Sequence, residues 1–253
     1  MYGRQMPWRH IDDPYRIAVS EIMLQQTQVD RVRVKYAQFL ERFPTLESLA
    51  AAPLADVLRV WQGLGYNRRA KFLKSMAQII VSTYGGDFPR DPSVLKTLPG
   101  IGPGTAGSIS AFAFNAPSVF IETNIRRVFI HFFFSNQAKV ADKDILPLVA
   151  RTVDVRRARE WYYALMDYGT LLAKTQINPN RRSKHYARQS RFEGSDRQVR
   201  GKILKELLSG PAPRAALAQS IRESRTRIDP IVDRLIAESF IVERNNNLSL
   251  SYV

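Results

Sequence analysis

The chain has 253 residues, enough for one large domain or two modest ones with a sizeable core. It carries 38 Lys and Arg against 23 Asp and Glu, a net charge of +15, and an excess this large points to a polyanionic partner. No long apolar run or signal-like start argues for a membrane; the absence of cysteine excludes disulfides and thiolate-held clusters, and three scattered histidines (His10, His131, His185) argue against a histidine metal site.

The first helix opens at Asp12-Asp13-Pro14, an aspartate cap ahead of proline at the first helical position. It carries Ile17, Val19, Glu21, Ile22 and Leu24 before reaching Gln25-Gln26-Thr27. A second runs from Val32 to Phe43 and stops at Pro44, where Thr45 can cap the next. Leu54 to Trp61 is short and closes at Gly63 and Gly65. Asn67 to Tyr84 is amphipathic, basic at its start through Arg68, Arg69 and Lys71, and ends at Gly85-Gly86. Nothing in this half alternates with period two, so it reads all-α.

Leu98-Pro99-Gly100-Ile101-Gly102-Pro103-Gly104-Thr105-Ala106 cannot sit inside a regular helix or strand. It reads as a hairpin between two helices, the second running through Ala111-Phe112-Ala113-Phe114. Bare backbone N–H groups at such a helix start can hold a phosphate, and a plain Gly-rich turn is the alternative. Beyond Glu122, Ile125 to Phe134 is strongly apolar, a buried helix, and helical stretches follow near 144–153 and 157–173. From Gln176 to Lys202 eight residues are Lys or Arg, among them Arg181, Arg182 and Lys184, against Glu193 and Asp196 alone. This reads as a basic connector laid against DNA, or as a solvated linker. Three short helical patterns (197–208, 213–222, 227–239) and two strands (240–244, 248–253) joined by asparagines then give the layout of a winged helix.

LPGIGPGTA followed by IETNIRRV resembles the helix-hairpin-helix DNA glycosylases, the superfamily of endonuclease III and the MutY-type adenine glycosylases. The N-terminal part is most similar to the adenine glycosylases. It matches them through Pro7-Trp8-Arg9, Asp13-Pro14-Tyr15, the run Ser20 to Val29, Phe43-Pro44-Thr45, Ala52-Pro53-Leu54, Trp61 to Tyr66 and Met166 to Gly169, all in order. The resemblance covers about residues 4–173. It implies a mainly α, two-subdomain HhH-GPD fold over 1–192, with a six-helix subdomain at about 15–123. The N-terminus plus about 124–192 would form the second subdomain, and 193–253 a winged-helix-like module.

Glu21, on an apolar helix face, is costly unless paired or protonated, and burial raises a carboxyl pKa toward that of a general acid. The resemblance makes it the residue that protonates the leaving adenine. Glu122 would be an ionised carboxylate stabilising the sugar cation, or else only a helix cap. Asn124 matches a family asparagine near the sugar. Arg4, Trp8, Arg9 and Leu24 match the base pocket, with Tyr163 where MutY-type pockets offer Gln or Glu. Gln26 and Tyr66 match residues inserted around the opposing base, and Gly100, Gly102, Gly104 and Thr105 form the DNA-gripping hairpin, whose carbonyls can also take a monovalent cation.

Besides Tyr163, four departures qualify the likeness. Glu122 replaces the usual aspartate. Gly104 stands where the lyase branch has its Schiff-base lysine. The four-cysteine iron–sulfur loop after Ala173 is missing, and the tail does not resemble the Nudix-like domain that reads 8-oxoguanine. The expectation is a monofunctional, cluster-free glycosylase removing a mismatched base, first adenine, from duplex DNA. A mismatch thymine or uracil glycosylase and a catalytically idle binder of mismatches or abasic sites stay open. A monomer in the cytoplasm, at the nucleoid, is expected.

Overall fold

In the computed structural model, residues 3–187 and 189–251 are described; Arg188 of the connector, and Tyr252 and Val253 at the end of the expected second strand, lie outside them. Thirteen α-helices and one β-hairpin are found among the described residues. By contact density the chain separates into two units, Met1–Gln25 with Asp87–Arg188, and Gln26–Gly86 with Gln189–Val253.

The first unit begins with α1 (Pro14–Leu24). Asp13 caps it by accepting from Arg16 N, and Pro14 follows at its first position. After the short α6 (Pro92–Leu95) the chain turns at Gly100, whose φ of +77° suits glycine, and enters α7 (Pro103–Phe114). α7 is buried almost throughout and packs on α1. Then come α8 (Thr123–Phe133), α9 (Asp142–Thr152) and α10 (Ala158–Thr175). Two glycines allow close approach: a Cβ on Gly107 would meet Phe120 Cβ at 2.5 Å, and one on Gly169 would meet Asn124 Cβ at 2.6 Å. The second contact is what lets α8 and α10 pack tightly.

The start of the basic connector is folded rather than loose. Residues Pro179–Arg182 make a 3-10 turn, Asn180 is buried and donates to Thr123 O at 2.8 Å, and Val140 exchanges backbone hydrogen bonds with Arg182 O and Lys184 N.

The second unit holds α2 (Val29–Arg42), α3 (Leu46–Ala51), α4 (Leu54–Trp61) and α5 (Arg68–Tyr84), joined with α11 (Asp196–Ser209), α12 (Arg214–Ile221) and α13 (Arg225–Ala237). Thr45 and Ser48 close a reciprocal cap on α3, and Gly85 ends α5 in the left-handed region. β1 (Ile241–Arg244) and β2 (Asn247–Leu250) pair antiparallel with Ile241 opposite Leu250. The turn between them is Asn245-Asn246, both at positive φ, as a two-residue hairpin requires. Ala212 bridges to Leu248, completing the winged-helix layout. α2 starts three residues earlier than the apolar pattern indicated, and β1 one residue later. Among the described residues no helix is long and apolar enough to cross a membrane.

Candidate functional site

Ile17, Ala18, Ile22 and Met23 set the inner face of α1, and Glu21 sits beside them, only partly open to solvent. Burial pushes its carboxyl up to about 7. The Ser108 hydroxyl of α7 opposes that rise by hydrogen bonding, and the charge of Glu122 adds to it. The single proton of the Ser108 hydroxyl has a second acceptor in Thr105 O at 3.0 Å, so the hydroxyl can donate to the ionised Glu21 or, turned to Thr105, accept from the protonated one. The hairpin sequence gave no sign that Ser108 would reach the acid.

Glu122 is the N-cap of α8. Its Oε1 accepts from Asn124 N at 2.6 Å and Ile125 N at 2.8 Å, and its Oε2 from Asn124 Nδ2 at 3.2 Å. It caps the helix, and it lies close enough to Glu21 to act on its charge. Burial pushes its carboxyl up as well, while the two amides and the charges of Arg127 and Arg126 favour the ionised form. Asn124 is itself oriented by the buried Arg127, which donates to Asn124 Oδ1 at 2.7 Å, to Gly169 O at 2.5 Å and, through Nε, to Asn178 Oδ1 at 3.0 Å. Arg127 is a second residue that sequence reasoning missed; an arginine amid the apolar α8 pattern is the only local hint.

Of the expected base-pocket residues, Arg4 and Arg9 converge on a single carboxylate. Asp167 accepts from Arg4 Nε (2.5 Å) and N (3.1 Å), and from Arg9 Nη1 (2.8 Å) and Nη2 (2.7 Å). Burial raises the Asp167 pKa, but these bonds outweigh it and hold the group below the usual carboxylate range. So fixed, the Arg9 guanidinium lies 4.6 Å from the centroid of the Tyr163 ring, which stacks on Phe112 at 4.6 Å and 10°. Burial, and then the charge of Glu21, push the Tyr163 hydroxyl up to about 12. Glu21, Glu122, Arg9 and Tyr163 thus share one electrostatic neighbourhood. Trp8 is buried, and Leu24 closes α1 half-exposed.

Gly102 caps α7 without a side chain, which leaves the Gly104 and Thr105 amides to an outside acceptor. Gln25 holds the hairpin from α1, donating to Gly100 O at 3.2 Å and Thr105 Oγ1 at 3.1 Å. A Cβ at Gly104 would meet Ile121 O at 3.3 Å. In the connector Arg181 and Lys184 are exposed, whereas Arg182 donates to the carbonyls of Ile130, Phe134 and Ser135 at the end of α8. Its guanidinium closes a helix terminus rather than waiting for a phosphate.

Gln26 and Tyr66 belong to the second unit, both at positive φ (+54° and +47°). Buried Arg69 joins their loops, donating through Nη2 to Thr27 Oγ1 at 3.0 Å, Leu64 O at 3.0 Å and Gly65 O at 3.1 Å. No thiol exists to hold the cluster of the resembled family, so the residues do not fit that group. Among the described residues no three His, Cys, Asp or Glu are grouped as a metal would need.

Residues 19–148 match the family described as HhH-GPD superfamily base excision DNA repair protein. The chain is 38% identical over 176 residues to the adenine DNA glycosylase of Buchnera aphidicola subsp. Baizongia pistaciae, an alignment covering 68% of this chain and 49% of that one. To the adenine DNA glycosylase of Mycolicibacterium smegmatis it is 35% identical over 257 residues, 94% of this chain and 88% of that one, so the match runs into the tail. A solved structure of a thermostable thymine-DNA glycosylase superposes with a TM-score of 0.61 at 26% identity, covering 70% of this chain and 82% of the other.

Proposed function

The chain belongs to the HhH-GPD superfamily of base excision DNA repair proteins, and from that premise we propose that it is a monofunctional DNA glycosylase acting on a mismatched base in duplex DNA, adenine first. The observation that carries the reading is Glu21, a carboxyl held at about 7 beside a second buried carboxyl, Glu122. A group with that pKa is protonated in about half of the molecules at neutral pH and can readily give its proton up.

In the step we propose, the base is turned out of the stack and Glu21 protonates a ring nitrogen. The N-glycosidic bond then breaks with its electron pair leaving on the base. Positive charge grows on the sugar beside Glu122, which favours the ionised form of that carboxyl even though burial opposes it. Oε2 of Glu122 takes one hydrogen bond, from Asn124, and keeps capacity for the sugar or for water. Water adds at the anomeric carbon, its proton goes to a carboxylate, and free base and an abasic strand result. The exposed hairpin start, Arg181 and Lys184 would hold the backbone, and Gln26 and Tyr66 would fill the duplex around the opposing base.

A mismatch thymine or uracil substrate is the second reading, favoured by Tyr163, which offers a hydroxyl rather than an amide to the base and whose pKa of about 12 keeps it a donor. Duplexes each carrying one mismatch, incubated with the protein and then treated with alkali, test both. Strand scission only at adenine mismatches supports the first reading and scission only at thymine or uracil mismatches the second. No scission anywhere leaves a binder.

A further inference from the structure

Tyr66 follows Gly65, at φ +69°, and itself adopts φ +47°. An aromatic residue in the left-handed region persists only where its surroundings over-determine it. One half of that support comes from the neighbouring chain. Arg69 and Trp61 Nε1 both donate to Gly65 O, at 3.1 Å each, and fix the turn from within.

The other half comes from the tail. The Tyr66 hydroxyl accepts from Gln189 Nε2 at 2.6 Å and from Arg197 Nη1, and the Arg197 guanidinium lies 5.1 Å from the ring centroid. Arg197 is in turn fixed by Ser190, whose O and Oγ take its Nη2 at 2.7 and 3.1 Å, and by its place in the first turn of α11. That helix is not loosely attached. Glu238 accepts from both Arg68 and Arg200, and the Arg200 and Lys71 cations stand 4.8 and 5.5 Å from the Phe240 ring.

A winged helix ordinarily lays its third helix in a groove, yet the basic residues of α13 are ion-paired: Arg225 with Asp229, Arg227 with Glu223, Arg234 with Asp196. We infer that Arg197, with Gln189, is a positioning residue that presents Tyr66 to the duplex, so that the tail sets opposing-base discrimination through this tyrosine. That role rests on the reading of Tyr66 as a residue entering the DNA.

The test uses the full chain and duplexes bearing a tetrahydrofuran abasic analogue opposite guanine, 8-oxoguanine, cytosine or adenine, with affinities read by fluorescence anisotropy. Wild type, Arg197→Ala, Arg197→Lys, Tyr66→Ala and the Arg197→Ala/Tyr66→Ala pair are compared, each first checked for a cooperative melt. Arg197→Ala should reduce the ratio between best and worst opposing base by about tenfold, as Tyr66→Ala should. The pair should lose no more than Tyr66→Ala alone, and Arg197→Lys should recover part of the ratio. A wild type without discrimination, or Arg197→Ala retaining the wild-type ratio while Tyr66→Ala loses it, overturns the inference. Base release by wild type is measured separately: its absence with the ratios intact removes the glycosylase reading and leaves this one standing.

Discussion

Asn124 donates twice to Glu122, from its backbone N to Oε1 at 2.6 Å and from Nδ2 to Oε2 at 3.2 Å. The first turn of α8 therefore aims the carboxylate that the proposed chemistry needs, and the same bonds cap the helix. Glu122→Gln keeps an oxygen for the cap but removes the charge, so single-turnover excision should slow by about 100-fold or more with the fold retained. Glu122→Asp can still cap, but it withdraws the carboxylate by one methylene and should not excise faster than wild type. An inert wild type revived by Glu122→Asp would favour the binder.

Excision should depend on pH through Glu21. With its carboxyl at about 7, the single-turnover rate should fall about tenfold per unit above that value and fall again on the acid side as the raised Glu122 carboxyl takes up a proton, and Glu21→Gln should be inert. Stability carries the same signature. Between the unfolded carboxyl pKa of 4.5 and about 7 the folded state holds a proton that the unfolded state has lost, so wild-type stability declines as pH rises through that window. Glu21→Gln has no such loss and should exceed wild type by roughly 2–3 kcal/mol at pH 8, with little difference at pH 4.5. Urea melts at the two pH values decide it; equal midpoints at pH 8 would mean that the carboxyl is not raised.

The three basic residues singled out in the connector should separate in one experiment. Arg181 and Lys184 are exposed, so Ala at either should lower the slope of log affinity against log salt by about 0.9 with no change in melting. Arg182 closes the end of α8, so Arg182→Ala should instead lower the melting temperature. A slope change at Arg182 with unchanged melting would reassign its side chain to the DNA.

Gly169→Ala should be felt at the site although it touches no substrate. Its Cβ would meet Asn124 at 2.6 Å, and the carbonyl of Gly169 is an acceptor for Arg127, so α8 and α10 must part or Asn124 must turn. A cost of about 1–3 kcal/mol is expected, together with slower excision even at temperatures where the variant is fully folded. Wild-type excision rates in a folded Gly169→Ala would show that Asn124 orientation does not matter.

What was legible in the sequence was local. The 3.6-residue pattern gave α4 to the residue and α5 to within one, because caps and glycines punctuate them. The short α6 escaped because one helical turn leaves no periodicity to read. Glu21 declared itself by standing among Ile17, Ala18 and Ile22. Its partner Ser108 did not, nor did Asp167, which serves Arg9 from 158 positions away, nor Arg197, 131 positions from Tyr66. Such pairings are fixed by how helices pack, and no spacing rule along the chain encodes them. Connector composition misled in one respect: eight basic residues look alike in a string, and only the fold distinguishes Arg182, turned onto α8, from the exposed Arg181 and Lys184.

Gly104 gives the sharpest chemical separation. A lyase forms a Schiff base between a lysine and the abasic sugar, and borohydride reduces it to a permanent protein–DNA adduct. Glycine supplies no amine, so the wild-type product should be an intact abasic strand that breaks only under alkali, with no adduct at any borohydride concentration. Gly104→Lys adds the amine at the second residue of α7, where the new Cβ would meet Ile121 O at 3.3 Å, a contact tight by only a few tenths of an ångström. If the sugar binds where the resemblance to the lyase branch implies, this variant should be trapped as an adduct on a substrate duplex and cut the strand without alkali. Trapping of wild type in high yield would mean that another amine serves as nucleophile and would end the monofunctional reading. A folded, DNA-binding Gly104→Lys that is never trapped would move the sugar away from the start of α7, and with it the proposed pairing of Glu21 and Glu122 across the glycosidic bond.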